Sequence, residues 1–373
     1  MTLVKRIARA LVRLGLRWTR LRRLIESELS RARPSTTITS PPGAAPEAAT
    51  AKRHFVDRRG KRHPLDPGLR DRLKPAWRTM VDPDLAAAPP SDAALADRAR
   101  KATTSVAEGR ALVSLVTGGG IVGRVLEIGC YDGSVAFALA RDPSVEMIAS
   151  DLARYYVNQR PGDDPSDAEV AAQQDRLAVI RERARSVAGV AAGRVIFVED
   201  DITDSRLDAG SFDAIVSFEV LEHLLDPTAS FAAMARLLRP GGVMYHDYNP
   251  FFAANGGHSL VTLDIPWGHA RFDEMDVERY LREVRPSEAT QALRFYRESL
   301  NRMTQHDLRE ALADAGLEIL AVVQWTQRNL VERMTPDVLA DVVRIYPTAT
   351  AEDLLTTFVS VLARRPIDQV STP

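Results

Sequence analysis

From residue 124 onward, short apolar runs alternate with longer stretches in which apolar residues recur at helical spacing. The first run contains Val125, Leu126 and Ile128, and it stops at Gly129. Such runs are typical of strands that are buried on both faces of a parallel sheet. The alternation therefore predicts an α/β fold, in which helices cover both faces of a doubly wound sheet.

The same pattern predicts the order of the elements. The predicted strands are 124–128, 145–151, 194–200, 212–218, 243–248, 317–325 and 357–365. Helices are predicted at 133–141, over DAEVAAQQDRLAVIRERARSVAG, from Glu219 onward and at 304–315, with one or two more in 91–118. Two inserts, at 249–300 and 326–352, interrupt this minimal alternation.

The beginning of the chain follows a different pattern. Residues 3–30 carry apolar residues at helical spacing between many arginines, which predicts a basic amphipathic helix within 1–33. Such a helix can lie on an anionic membrane surface or pack against protein. A flexible Pro/Ala/Thr/Ser linker is predicted at 34–50, followed by a basic and then helical lead-in at 51–118.

Composition restricts the class of protein further. The chain is 45% hydrophobic and 27% charged, and no apolar run approaches the roughly 20 residues of a membrane span. The net charge of −1 makes nucleic acid an unfavoured partner. Cys130 is the only cysteine, which excludes an intramolecular disulfide and a zinc site of the cysteine type. We therefore expect a cytoplasmic protein, peripheral to a membrane only through residues 3–30.

The loop after the first strand carries candidate binding chemistry. Gly129 and Gly133 frame a turn from strand to helix, which gathers backbone N–H groups and the positive helix end at one point. The dinucleotide fingerprint G-x-G-x-x-G is incomplete, because its third glycine is missing. Glu127 would repel a pyrophosphate but would attract a cation such as the ammonium of a methionine moiety. Asp151 ends the second strand at the spacing expected of a ribose-binding carboxylate.

Two stretches resemble class I S-adenosylmethionine-dependent methyltransferases. EIGCYDG resembles motif I of that family, [DE]-x-G-x-G-x-G, with Tyr131 in place of the middle glycine. FDAIVSFEVLEHLLDP resembles F-D-x-V-x-x-x-x-V-L-E-H-V-x-D-P of the ubiquinone-type O-methyltransferase branch. The resemblance covers a domain at 119–366. It implies a Rossmann-like, mostly parallel sheet of seven strands with the last one antiparallel, and it leaves the N-terminal helical extension outside.

The resemblance implies S-adenosylmethionine as the cofactor. The residues expected to bind it are Glu127, Gly129, Tyr131, Gly133, Asp151, Leu152, Asp201, Ile202 and Phe218. In the family, an acid after the third strand bonds the adenine amino group and the next residue packs on the ring. Asp201 and Ile202 take these positions, with Asp200 as the alternative register.

The acceptor is expected to be a small molecule or a glycan, methylated at oxygen. The two inserts should select it, because the sheet is committed to the cofactor. A hydroxyl acceptor must lose its proton, and a histidine whose pKa lies near neutrality suits that role. His246, at the end of the fifth strand, is the first candidate base, followed by His258 and His269.

Several alternatives remain open at this stage. Glu222 and His223 are expected to cap and orient the following helix rather than to act in catalysis. A divalent metal is not expected, because no tight His/carboxylate ligand spacing is present. The chain could instead methylate RNA or protein through its basic N-terminal region, serve as a non-catalytic scaffold, or be a nicotinamide-dependent dehydrogenase.

Overall fold

The computed structural model describes residues 54–81, 88–158 and 164–367. The predicted basic helix at 1–33 and the linker at 34–50 lie outside these residues, so membrane contact through the first helix stays a prediction. Among the described helices, none combines the length and the apolar character that crossing a membrane would require.

The elements are numbered here in chain order. The strands are β1 (His54–Val56), β2 (Arg62–Pro64), β3 (Gly123–Ile128), β4 (Val145–Asp151), β5 (Val195–Glu199), β6 (Phe212–Phe218), β7 (Leu238–Tyr248), β8 (Glu318–Thr326) and β9 (Thr356–Arg364). The helices are α1 (Leu69–Leu73), α2 (Arg78–Val81), α3 (Asp92–Thr117), α4 (Ser134–Ala140), α5 (Ala153–Asn158), α6 (Asp167–Ala188), α7 (Pro227–Leu237), α8 (His258–Val261), α9 (Gly268–Arg271), α10 (Glu274–Val284), α11 (Ala289–Glu298), α12 (Gln305–Asp314), α13 (Arg328–Arg333), α14 (Pro336–Ile345) and α15 (Ala351–Leu355). Short 3₁₀ turns lie at Ile202–Asp204, Leu221–His223 and Pro286–Glu288.

A seven-stranded sheet forms the centre, in the order β5-β4-β3-β6-β7-β9-β8. The strands from β3 to β7 pair in parallel, and β9 runs antiparallel to both β7 and β8. This confirms the predicted Rossmann-like sheet and its antiparallel last strand. The strand order reverses between β3 and β6, so the carboxyl ends of these strands form the edge where open α/β sheets bind ligands.

Alternate residues of the central strands enter two separate cores. Val125 and Val216 pack with α3, α4 and α6 on one face of the sheet. Leu126, Ile215 and Ile148 pack with α7 and α12 on the other. Both faces are therefore covered, which is why the strands are apolar throughout rather than alternating.

A third core joins the two inserts to the lead-in segment. Trp267 and Tyr280 from the first insert are buried together with Val342 from the second and Phe55 from β1. The Phe55 and Tyr280 rings meet edge to face at 5.5 Å. Because large aromatic side chains contribute most to such a core, the β1–β2 hairpin and the inserts are held as one layer.

The connection after β6 departs from the predicted helix. Glu219 has a φ of +56°, and the Leu221–His223 turn follows it, so α7 begins only at Pro227. Asp226 caps α7 by accepting a hydrogen bond from the Ala229 N–H at 2.8 Å. The segment before Asp226 is therefore an irregular loop at the ligand-binding edge, and the expected capping role belongs to Asp226.

Candidate active site

A cavity of about 570 Å³ lies where β3, β4, β5 and β6 end. It is enclosed by the loop after β3, the ends of these strands, α5, and parts of the lead-in and the first insert. Of the nine residues expected to bind the cofactor, eight line it: Glu127, Gly129, Tyr131, Asp151, Leu152, Asp201, Ile202 and Phe218. The ninth, Gly133, precedes α4 directly beside this lining.

The loop after β3 needs glycine at its two ends. Gly129 has a φ of +71°, and a Cβ there would lie 2.5 Å from Cγ2 of Val220. Gly133 has a φ of +78°, and its Cβ would lie 2.7 Å from the Phe197 ring. Tyr131 has a φ of +42° and so adopts the left-handed conformation that glycine provides most easily. Tyr131, which replaces the middle glycine of the motif, therefore keeps a backbone conformation that a glycine would adopt there.

The carboxylate of Asp151 is hydrogen-bonded beneath this loop. Its Oδ2 accepts from the Tyr131 N–H at 2.5 Å and from the Tyr156 hydroxyl at 2.9 Å, and its Oδ1 accepts from the Leu152 N–H at 2.7 Å. Burial raises its pKa, although these bonds oppose the shift. A carboxylate has about four acceptor positions, so about one remains for a ligand. A ribose diol could donate both of its hydroxyl hydrogens to Asp151 only if the Tyr156 hydroxyl released Oδ2.

Glu127 suits a cationic group. The residue is 3% exposed, and its Oε2 has no hydrogen-bond partner within the described part of the chain. Burial raises its pKa well above the usual range, and the neighbouring Asp151 and Asp132 raise it further. A buried carboxyl oxygen without a partner at a cavity wall fits the ammonium of a methionine moiety, because a cation would satisfy the oxygen and favour its charged form.

The two acids after β5 differ in what their side chains already do. Oδ1 of Asp201 accepts from the Thr203 N–H at 2.9 Å and from the Thr203 hydroxyl at 2.7 Å. Asp200 accepts from the Arg206 N–H through Oδ1, while its buried Oδ2 has no partner among the residues described. Both acids line the cavity, but Asp200 is the one with a buried oxygen that an adenine amino group would provide with a partner.

The structure does not bring the three candidate histidines together. His246 is fully buried, and its Nδ1 lies 2.7 Å from the Ser217 hydroxyl of the neighbouring strand. Its ring faces Phe231 of α7, whereas Tyr245 belongs to the core on the other face. The expectation that His246 reaches the methyl position is therefore corrected, because its side chain is buried in the core beside Phe231 and is not part of the cavity wall. Burial lowers its pKa to about 3.

His269 also lies away from the cavity. Its Nε2 lies 2.8 Å from the Phe251 carbonyl oxygen, and the residue is 1% exposed within the insert core. Burial lowers its pKa to about 4. This histidine holds the first insert together rather than facing a ligand.

His258 lines the cavity beside His223, with ring centroids 4.9 Å apart. Nδ1 of His223 lies 2.5 Å from the Ser299 carbonyl oxygen. Since a carbonyl only accepts, Nδ1 carries the hydrogen and Nε2 keeps its lone pair. Burial lowers the pKa of His223 to about 4 and that of His258 well below its usual value. Both imidazoles are therefore neutral at pH 7 but weaker bases than the histidine of near-neutral pKa expected from the sequence.

Glu222 completes this end of the cavity region. It is 0% exposed, its Oε1 accepts from the Asn249 N–H at 3.2 Å, and burial raises its pKa to about 8. Lys74, from the lead-in, donates to Oδ1 of Asn249 at 3.0 Å. Lys74 was not predicted from the sequence, and Glu222 was expected only to cap a helix. The segment VLEH, residues 220–223, was the available signal for Glu222. The contact between Glu222 and His258 could not be predicted, because it depends on how the first insert packs.

Comparison with known proteins assigns a family. A sequence model of the family described as "Methyltransferase domain" matches residues 84–322. Ubiquinone biosynthesis O-methyltransferase of Xanthomonas oryzae pv. oryzae (strain PXO99A) is 33% identical over 124 residues, which cover 33% of this chain and 41% of that protein. Its namesake from Alkalilimnicola ehrlichii is 31% identical over 177 residues, covering 44% of this chain and 62% of that protein. The chain thus spans less than two thirds of the length of these relatives.

Solved structures with a related fold are more distant. Phosphoethanolamine N-methyltransferase 2 of Haemonchus contortus, in complex with S-adenosyl-L-methionine, aligns with a TM-score of 0.42 at 15% identity over 78% of this chain and 60% of that chain. A geranyl diphosphate methyltransferase in complex with SAM aligns with a TM-score of 0.41 at 16% identity over 76% and 95%. The family match covers the loop after β3 and every acid described above. The chain therefore belongs to the class I S-adenosylmethionine-dependent methyltransferases.

Proposed function

We propose that this protein transfers the methyl group of S-adenosylmethionine to a hydroxyl oxygen of a small molecule or glycan, and that a histidine in the cavity receives the proton. One observation carries the proposal: two neutral histidines, His223 and His258, line the same cavity as the acids that suit the cofactor. The activity for which the relatives are named, O-methylation, supports oxygen as the acceptor atom.

The acids at the strand ends suit the separate parts of the cofactor. Glu127 binds the ammonium of the methionine moiety, and Asp151 binds the ribose. Asp200, or Asp201 in the other register, accepts from the adenine amino group, while Ile202 packs on the ring. The unpartnered buried oxygens of Glu127 and Asp200 support these roles, since each gains a partner on binding.

The remaining wall of the cavity suits the acceptor. It is lined by His223, His258 and Phe295, together with Met80 and Leu260 from the lead-in and the first insert. Two imidazoles next to apolar side chains fit a molecule that presents a hydroxyl on an apolar body. Because the lead-in and the insert lie outside the sheet, they are the parts of the chain that set acceptor choice.

The transfer is an in-line displacement on the sulfonium methyl carbon. The hydroxyl oxygen forms the new bond to that carbon, the carbon–sulfur bond breaks towards sulfur, and S-adenosylhomocysteine leaves. His258 takes the hydroxyl proton through a neutral ring nitrogen. The carboxyl of Glu222, with Oε1 3.7 Å from Nε2 of His258, stabilises the imidazolium once it has released its own proton. The cavity contributes mainly by aligning the two reactants, since the sulfonium is already reactive.

Release of S-adenosylhomocysteine tests this function. The purified chain would be incubated with S-adenosylmethionine and a panel of catechols, phenols and sugars, and compared with the His258→Gln variant. We expect hydroxyl-dependent release that falls by about 10²-fold or more in the variant, while cofactor binding persists. Transfer to RNA or protein and to none of the hydroxyl compounds would contradict the proposed acceptor class.

A further inference from the structure

Three side chains that can ligate a metal ion converge at the acceptor side of the cavity. One ligand atom each from Glu222, His223 and His258 lies within 4.8 Å of the other two. Oε1 of Glu222 and Nε2 of His258 are 3.7 Å apart. Ligand atoms around a tetrahedral zinc ion, each about 2.0–2.1 Å from the metal, lie roughly 3.4 Å from one another. Small side-chain shifts would therefore bring the three atoms to coordinating distance.

Two of these side chains are already oriented by bonds behind them. His223 donates Nδ1–H to the Ser299 carbonyl, which turns the Nε2 lone pair away from that bond. Glu222 accepts the Asn249 N–H through Oε1. Metal-binding histidines typically bond their second nitrogen to a neighbouring group in this manner, and ligating carboxylates are themselves hydrogen-bonded.

The same cluster holds two buried polar atoms without partners. Within the described residues, neither Oε2 of the fully buried Glu222 nor Nε2 of His258 makes a hydrogen bond. Buried polar atoms are nearly always paired in folded proteins. A single cation between the two side chains would provide Nε2 of His258 with a partner, and would also satisfy Oε2 if the carboxylate bound it through both oxygens.

We propose that Glu222, His223 and His258 form a binding site for a divalent transition-metal ion of the Zn²⁺ type. Two imidazoles and one carboxylate are a donor set that catalytic zinc sites use, with the fourth position open. Mg²⁺ and Ca²⁺ prefer sets made of oxygen alone. No metal was expected from the sequence, because no tight His/carboxylate ligand spacing was found; the third ligand, His258, comes from the distant first insert.

The ion changes how the acceptor is activated, and this consequence rests on the proposed function. An acceptor hydroxyl in the open position loses its proton more readily, and that proton passes to water in the cavity. The oxygen keeps the electron pair that forms the bond to the methyl carbon, and sulfur takes the pair of the broken bond. His258 then acts as a ligand, so metal and proton compete for the same nitrogen.

Titration with Co²⁺ tests the site directly. The full chain would be freed of metal with a chelator, and Co²⁺ binding followed by its visible absorption, which reports nitrogen ligands and low coordination number. The variants are Glu222→Gln and His258→Gln. The control is His306→Gln, since His306 forms an exposed pair with Glu310 at 3.1 Å on α12.

We expect wild type and His306→Gln to bind one Co²⁺, displaced by Zn²⁺, and the two cavity variants to bind at least roughly tenfold more weakly. Binding of S-adenosylhomocysteine by each variant shows that it is folded. Equal Co²⁺ binding by all four proteins, or no low-coordinate spectrum in wild type, would overturn the metal site. Failure of the proposed function is distinguishable, because it appears as absent methyl transfer whether or not Co²⁺ binds.

Discussion

The backbone N–H of Tyr131 donates to the carboxylate of Asp151 at 2.5 Å, which ties the loop after β3 to the end of β4. The Tyr156 hydroxyl donates to the same oxygen. The Asp151 carboxylate is therefore preorganised by the loop that lines the cavity, and a ribose bound there, as we propose, would compete with the Tyr156 hydroxyl for Oδ2.

Removing the hydroxyl of Tyr156 should strengthen cofactor binding. In Tyr156→Phe, the ribose no longer competes for Oδ2 of Asp151, and a hydrogen bond of this kind contributes about 0.5–1.5 kcal/mol. We expect the Kd for S-adenosylhomocysteine, measured by calorimetry, to fall by up to about tenfold. A weaker complex in a folded variant would show that the tyrosine hydroxyl itself contacts the cofactor.

The two acids after β5 should respond differently to the same change. Asp200→Asn alters the oxygen without a partner, so we expect about tenfold weaker binding of S-adenosylmethionine with little loss of stability. Asp201→Asn keeps a side-chain oxygen that caps the Ile202–Asp204 turn, so we expect both the affinity for S-adenosylmethionine and the free energy of unfolding to stay close to those of wild type. Calorimetry and urea unfolding of both variants make the comparison. If Asp201→Asn weakened binding of S-adenosylmethionine more than Asp200→Asn, Asp201 would be the residue that bonds the adenine amino group.

His246 should matter for stability and not for catalysis. In His246→Gln, the bond to the Ser217 hydroxyl is disturbed inside the core, so we expect the free energy of unfolding to fall by about 1–3 kcal/mol. The rate of methyl transfer by the folded fraction should stay near that of wild type, unlike the rate of His258→Gln. A folded His246→Gln variant that binds cofactor but does not transfer methyl would contradict this account.

Asp247 should make the fold less stable as the pH rises. Burial, with nearby Glu219, raises the pKa of Asp247 to about 7 from its usual 3.8. The folded state therefore keeps a proton that the unfolded chain has already released, and stability present below pH 4 is lost as the pH rises through 7. Urea unfolding between pH 5 and 7 should show a decline of at most about 1.4 kcal/mol per pH unit from this group.

Asp247→Asn provides the control for that decline. Asparagine resembles the protonated acid and does not titrate, so the variant should lose this part of the pH dependence and exceed wild type in stability at pH 8. An unchanged slope in Asp247→Asn would assign the pH dependence to other groups.

Much of the sheet could be predicted because its signals are local. The predicted strands 145–151 and 212–218 match β4 and β6 residue for residue. Each is an apolar run with a clear end, and the acid that ends it or follows it, Asp151 or Glu219, lies at the ligand edge for the same reason. The cofactor side of the cavity therefore follows from residues close together in the chain.

The acceptor side could not be predicted in the same way. A shift of one position along a strand moves a side chain to the other face of the sheet. In a run that is apolar on both faces, the sequence pattern does not show which face a given residue occupies. For this reason His246 was predicted at the cavity, although its side chain lies in the core beside Phe231. The contact between Glu222 and His258 depends on the core around Trp267 and Tyr280, which brings the insert back to β6 through long-range packing.

The most direct test of the central claim is calorimetric binding of S-adenosylmethionine and S-adenosylhomocysteine to wild type and to Asp151→Ala, with NAD as the control ligand. We expect micromolar binding of both sulfur compounds, weakened by roughly tenfold or more in the variant (about 1.4 kcal/mol), and no binding of NAD. Absence of binding by either sulfur compound to the folded wild-type chain would contradict a working methyltransferase site and leave a scaffold with this fold.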